Sequence, residues 1–136
     1  MAEKEGAIVK KGHEEGFKMM ISLLEEFEFP LGIFPVADVI EVGFVKNTGY
    51  MWIKQAKKVE HKFKMFHTPA SYDTEISGYI EKRRIKKVKG MKAKGPIVSP
   101  PVNEMIVDDP PNGNIQFKGL AGISRTLPLE FFAAGQ

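Results

Sequence analysis

Cysteine is absent from this 136-residue chain. Its absence removes disulfides, a thiolate nucleophile and any Cys-ligated zinc or iron–sulfur centre, and suits a reducing compartment. Long apolar runs are absent as well, so no stretch of about 18 residues would cross a bilayer as a helix. The opening MAEKEGAIVKKGHEEG is charged where a secretory signal would be apolar, and Ala2 stands where myristoylation needs glycine. A cytoplasmic location is expected. Catalytic signatures are also missing: no G-x-S-x-G elbow, no phosphate-binding loop, no H-E-x-x-H and no G-x-G-x-x-G.

What is present is enough apolar material for a core, 43% of residues, of which aromatics make 10% of the chain. A chain of this length buries about two thirds of the surface that its unfolded form exposes. The division expected is a flexible tail over 1–13 and a single domain over 14–133. Net charge is only +3, but KRRIKKVKGMKAK (82–94) holds eight cations and no acid, which leaves the remainder at −5. Lys82, Arg83, Arg84, Lys86, Lys87, Lys89, Lys92 and Lys94 thus form a candidate surface for anionic partners. The plainer reading is an edge strand and loop kept basic against edge-to-edge pairing. Without an aromatic among them these cations lack the groups that read bases, so no specific nucleic-acid recognition is expected.

Along the chain, Phe17, Met20, Ile21, Leu24 and Phe27 recur at helical spacing, acids Glu14 and Glu15 stand at the helix start, and Pro30 ends it. Such a stripe reads as the buried face of a helix. Residues 29–38, with Pro30, Gly32 and Pro35, cannot be regular structure. Strands follow. Val42 and Phe44 share a face, 46–49 turns with Gly49 at positive φ, and Tyr50 and Trp52 begin the return strand. Trp52 is expected to be buried beside Phe17, Ile21 and Leu24. In KVEHKFKMF, Val59, His61, Phe63 and Met65 alternate with Lys58, Glu60, Lys62 and Lys64. SYDTEISGYIE repeats the device, with Asp73, Glu75 and Glu81 on the wet side, positioned for cross-strand pairing with the lysines. Because alternation sends aromatics and lysines to opposite faces, this is an amphipathic sheet and not a base-stacking platform. Pro100 and Pro101 interrupt any strand from Pro96, and 108–113 is a turn by composition.

The sum is one helix and six or seven strands, with no βαβ units. The fold class is mainly β: an antiparallel barrel-like sheet or sandwich with one N-terminal amphipathic helix. Polar chemistry is sparse. His61 and His67 share a parity and form at most a weak metal pair; His13 lies in the tail. A triad assembled from Ser71 or Ser124, His61 or His67, and Asp73 or Asp108 carries no discriminating power without geometry. No cofactor, metal or catalytic residue is assigned. Tyr50, Trp52, His61 and Phe63 are the ligand-binding candidates, since small barrels hold one ligand.

Taken together, LLEEFEFPLGIFP, DVIEVGFVKNTGYMWIKQAKKVEHKF, SYDTEISGYIE, VNEMIVDDPPNGNIQFKGLAGISRT and PLEFF resemble the plant family labelled domain of unknown function 538, co-linearly over about residues 17 to 132. The resemblance implies a small, mostly β fold with an N-terminal helix. Members have been likened to lipid-binding proteins of the bactericidal permeability-increasing type, and binding or hydrolysis of chlorophyll has been proposed for the family. Ser99 and Pro100 depart from the family's pattern, which often continues a hydrophobic strand there; the departure implies a broken strand and an altered ligand wall. The expected function is non-enzymatic binding, by a monomer, of an apolar or amphipathic ligand such as a lipid or pigment. The alternatives are a chlorophyll or lipid ester hydrolase, and an adaptor for anionic partners or an anionic lipid surface acting through 82–94.

Overall fold

A computed structural model of the chain describes residues 2–108, 113–119 and 122–136. The turn expected over 108–113 falls largely outside them. Nine strands form one antiparallel sheet: β1 (Ile8–Lys11), β2 (Val39–Phe44), β3 (Tyr50–Gln55), β4 (Val59–His61), β5 (Ala70–Glu81), β6 (Arg84–Ala93), β7 (Glu104–Val107), β8 (Asn114–Lys118) and β9 (Ser124–Pro128). Their order is β1-β2-β3-β5-β6-β7-β8-β9, with β4 added beside β3 on the same edge of β5. β1 and β9 end the path without pairing to each other, so the sheet is not closed into a barrel.

β1 precedes the helix and pairs with β2, Val9 opposite Gly43. The segment expected as a flexible tail therefore carries an edge strand. Its four residues are all exposed, which is why apolar patterning could not reveal it.

Helix α1 (His13–Glu26) packs on β1 and β2. Gly16, Met20, Leu23 and Leu24 are its buried positions; Phe17, Ile21 and Phe27 flank them, partly covered. The chain leaves the helix through a left-handed residue, Glu28, at φ 63°. Phe29 N–H bonds the Leu24 carbonyl at 2.8 Å and Glu28 N–H that of Glu25 at 3.2 Å, capping the last turn before Pro30 is reached. Residues 29–38 contain no helix or strand, as expected, and bury Phe29, Ile33 and Phe34. The hydroxyl of fully buried Tyr72 on β5 donates to the Ile33 carbonyl at 2.8 Å, tying this loop to the middle of the sheet.

The β2–β3 turn is as expected: Gly49 has φ 81° and its N–H bonds the Val45 carbonyl at 2.8 Å. β3 differs. Met51 and Ile53 enter the main core, whereas Tyr50 and Trp52 pack on the opposite face with Val45, Ala7 and Tyr79. Trp52 is buried, but not beside α1 as expected, because residues of its parity face away from the helix. A central strand between β2 and β5 is covered on both sides, with no uniformly wet face.

Strict alternation beyond β4 also fails. The strand stops at His61, and 62–69 turn back to β5; Phe63 is buried while Met65 is 48% exposed. Of the expected cross-strand pairs between 58–64 and 71–81, Lys58–Asp73 forms at 3.6 Å, since Val59 opposite Tyr72 sets that register.

Candidate functional site

The turn after His61 places Phe63 and Phe66 against the C-terminal end of the chain. Phe63 meets Phe132 edge-on with centroids 4.8 Å apart, Phe117 of β8 meets the same ring at 5.1 Å, and Phe66 stacks on Phe131 at 6.1 Å. Phe131 and Phe132 lie on a single 3-10 turn, Leu129–Phe132. Gly32 N–H bonds the Phe132 carbonyl at 2.8 Å, which anchors that turn to the loop after α1.

Between these rings and β6, β8 and β9 opens a cleft of about 180 Å³. Met91, Val102 and Leu127 line it together with Phe63, Phe66 and Phe117, and Pro100–Pro101 form part of its wall. Lys92, Lys118 and Arg125 contribute the charged groups. Arg125 lies over the Phe66 ring at 4.9 Å, a cation–π contact that keeps its guanidinium at the cleft.

A second, shallower depression of about 750 Å³ adjoins the first and shares Lys118, Gly119, Ile123 and Ser124 with it. Its remaining lining includes Arg84, Lys86, Lys87 and Lys89 around the single acid Glu104. Apolar cleft and cationic depression are thus one continuous surface feature.

The basic segment 82–94 is not an edge. β6 runs between β5 and β7, and its far half is further held by the Lys92–Pro101 bridge and by Val102 N–H to the Met91 carbonyl at 2.9 Å. Ion pairs occupy five of its eight cations: Lys82 and Arg83 with Glu28, Arg84 with Glu104, Lys86 with Glu81 and Lys94 with Glu60. Lys87, Lys89 and Lys92 are exposed and make no ion pair among the described residues. Lys87 instead lies 5.6 Å from the Tyr79 ring.

The histidines and serines do not assemble. His61 packs edge-on against Phe63 at 4.7 Å and its Nε2 contacts the Gln136 carbonyl oxygen at 3.2 Å. His67 lies against Phe66, and His13 Nδ1 accepts from Val39 N–H at 3.1 Å. Ser124 borders the cleft, whereas Ser71 is buried in β5. Among the described residues no hydrogen bond joins either serine to a histidine, and no group of three acids or histidines is placed to hold a metal.

The model of the family described as "Protein of unknown function, DUF538" matches residues 20–133. The chain belongs to that family. No curated protein and no solved structure matches it. The DUF538 match begins within α1 and spans every residue named at the cleft; β1 precedes it, as do Lys4 and Ala7, two of the residues packed against Trp52. Residues 94–103, where a broken strand was expected, contain no strand, and Pro100 and Pro101 serve as cleft wall.

The four aromatic ligand candidates divide. Phe63 lines the cleft and His61 stands directly behind it; Tyr50 and Trp52 belong to the cluster on the other face of β3. Desolvation there pushes the Tyr50 hydroxyl above its ordinary pKa. Phe66, Phe117, Leu127 and Phe132 were missed, because they belong to short or irregular segments whose faces only the tertiary packing defines. The one available signal was PLEFF, with two adjacent aromatics, Phe131 and Phe132.

Proposed function

We propose that this DUF538 domain binds an amphipathic ligand non-enzymatically, holding an apolar chain or single ring in the cleft bounded by Phe63, Phe66, Met91, Phe117 and Phe132. The observation that carries this reading is an open, nearly all-apolar recess beside a sheet whose core is otherwise filled. An empty apolar recess loses dispersion contacts on its lining, and an apolar guest restores them. Size decides between candidate guests. Ligand pockets that enclose a drug-sized molecule run to roughly 300–1,000 Å³, and a dry cavity of roughly 150 Å³ takes a benzene ring. At about 180 Å³ the cleft takes part of a ligand, an acyl chain end or one ring, and not a whole pigment macrocycle. Lys92, Lys118 and Arg125 supply the polar contacts that such a ligand's head requires.

The test is titration with a fluorescent single-chain fatty acid, comparing wild type with Ala93→Phe, which fills the cleft from a lining position. Saturable binding by wild type and its loss in the folded variant are expected. Equal binding by both would overturn the assignment to this cleft.

A further inference from the structure

Apolar side chains gather where the proposed ligand site needs none. Ile97 is 93% exposed, Val98 68% and Ile123 62%. None of them fills the core. Scattered single apolar residues on a surface require no explanation, but Ile97 and Val98 are adjacent, at the tip of a loop whose base is part of the cleft. That loop, 94–99, is closed by Ala93 N–H to the Pro100 carbonyl at 3.0 Å and by Lys94 N–H to the Pro69 carbonyl at 2.9 Å. Ala93, Pro69 and Pro100 all line the cleft, and Ile123 lines both the cleft and the adjoining depression. The base of the loop that carries Ile97 and Val98, and Ile123, therefore both border the cleft.

The charged residues that line the cleft, Lys92, Lys118 and Arg125, are all cationic, and the adjoining depression adds Lys89 together with Glu104, which is paired with Arg84. Lys89, Lys92 and Lys118 make no ion pair among the described residues, and Arg125 is engaged with a ring and not with an acid. A soluble anionic partner would satisfy these cations but leave Ile97 and Val98 in water. A purely apolar partner would strand the cations. An anionic bilayer satisfies both sets at once: apolar tips enter the interface while lysines and arginine stay at headgroup level. Negative surface potential of such a membrane attracts each nearby cation, and the attraction fades within a Debye length.

We infer that the face bearing Ile97, Val98, Ile123, Lys89, Lys92 and Lys118 docks on an anionic lipid bilayer, with the cleft opening toward the membrane. Docked in this way, an acyl chain passes between bilayer and cleft without crossing water. Lys92, Lys118 and Ile123 belong to both this face and the cleft, whereas Ile97 and Val98 do not line the cleft, so changing these two tests the surface apart from the binding proposed for the cleft.

The experiment is co-sedimentation of the whole chain with vesicles of phosphatidylcholine, alone or containing a quarter phosphatidylserine. Pelleting with the anionic vesicles only, weakening as salt is added, is the expected result. Ile97→Asp combined with Val98→Asp should lower the bound fraction at least tenfold and leave fatty-acid titration of the cleft unchanged. Lys89→Ala with Lys92→Ala should weaken vesicle binding by about fivefold per charge removed. Absence of pelleting, or equal pelleting with neutral vesicles, overturns the inference. So does duplex DNA binding of similar strength that the Ile97→Asp, Val98→Asp change leaves intact, since the face would then be a general polyanion surface.

Discussion

Glu28 and Arg83 both have left-handed backbones, φ 63° and 61°, and their side chains meet at 2.9 Å. Arg83 N–H also donates to the Phe27 carbonyl at 2.8 Å, so the β5–β6 turn holds the end of α1. Partial desolvation works to raise the Glu28 carboxyl's pKa; Arg83 and then Lys82 more than offset it, leaving the group below its ordinary value. Glycine at 28 relieves the backbone, while alanine removes the ion pair and keeps the unfavourable φ. Glu28→Gly should therefore melt above Glu28→Ala in thermal unfolding at neutral pH. A depressed carboxyl stabilises the fold above its unfolded pKa and ceases to as pH falls through the folded value. The deficit of Glu28→Gln relative to wild type should accordingly shrink in acid, and a deficit constant down to pH 3 would deny the ion pair its role.

Across the β2–β3 pair, Trp52 covers Gly43, and a Cβ added there would fall 2.2 Å from the indole. The ring is also fixed by Nε1–H donating to Glu41 Oε2 at 2.8 Å. Gly43→Ala should cost about 1–3 kcal/mol by overpacking, and Trp52→Ala about 3–5 kcal/mol by emptying a large aromatic site. Their effects should be strongly non-additive, because alanine at 43 no longer clashes once the indole is gone. Urea midpoints of the two single variants and the double variant measure this; strict additivity would contradict the contact.

Lys4 Nζ lies 4.6 Å from the Trp52 ring centroid, and Ala7 packs in the same cluster. Deleting residues 1–7 should expose one face of the indole. A red shift of its emission, in a chain that keeps its far-ultraviolet spectrum, is the expected signature. An unshifted emission maximum would show that the first residues do not cover the ring.

Burial pushes the Tyr72 hydroxyl far above its ordinary pKa of 10.0. In the unfolded chain this phenol ionises near that value, while the folded chain retains its proton. The unfolded state then binds fewer protons, so stability falls as pH rises beyond 10. Tyr72→Phe should lose about 1 kcal/mol at neutral pH with the hydrogen bond to the Ile33 carbonyl. It should also show a shallower alkaline decline than wild type. Parallel declines from pH 9 to 11 would mean that other groups carry the alkaline sensitivity.

Which elements were legible follows from where each one's information resides. The α1 stripe, the irregular 29–38 segment and the Gly49 turn are local: periodicity, proline and glycine chemistry act within a few residues. The DUF538 pattern was readable for a related reason, since it runs in order along the chain. Gln55 shows the limit. A polar residue ending a strand reads as an exposed terminus, yet it is 1% exposed. Its amide donates to the Tyr72 and Asp73 carbonyls at 3.2 and 2.9 Å and accepts from Ala37 N–H at 3.0 Å. It bridges the gap where β3 gives way to β4 along β5.

By itself the sequence determined the mainly β class of the fold, the helix, the Gly49 hairpin and the concentration of cations in 82–94, because all of these depend on residue identity at short separation. Tertiary structure alone decided that β1 joins the sheet edge, that β3 is covered on both faces, that β6 is interior, and that five of the eight cations of 82–94 pair with acids, Glu28, Glu60 and Glu104 among them distant in sequence. It also decided the cleft, which draws Phe63, Met91, Phe117 and Phe132 from four segments of the chain. Side-chain alternation tells which residues share a face but not what covers that face, and coverage depends on contacts that no local pattern encodes.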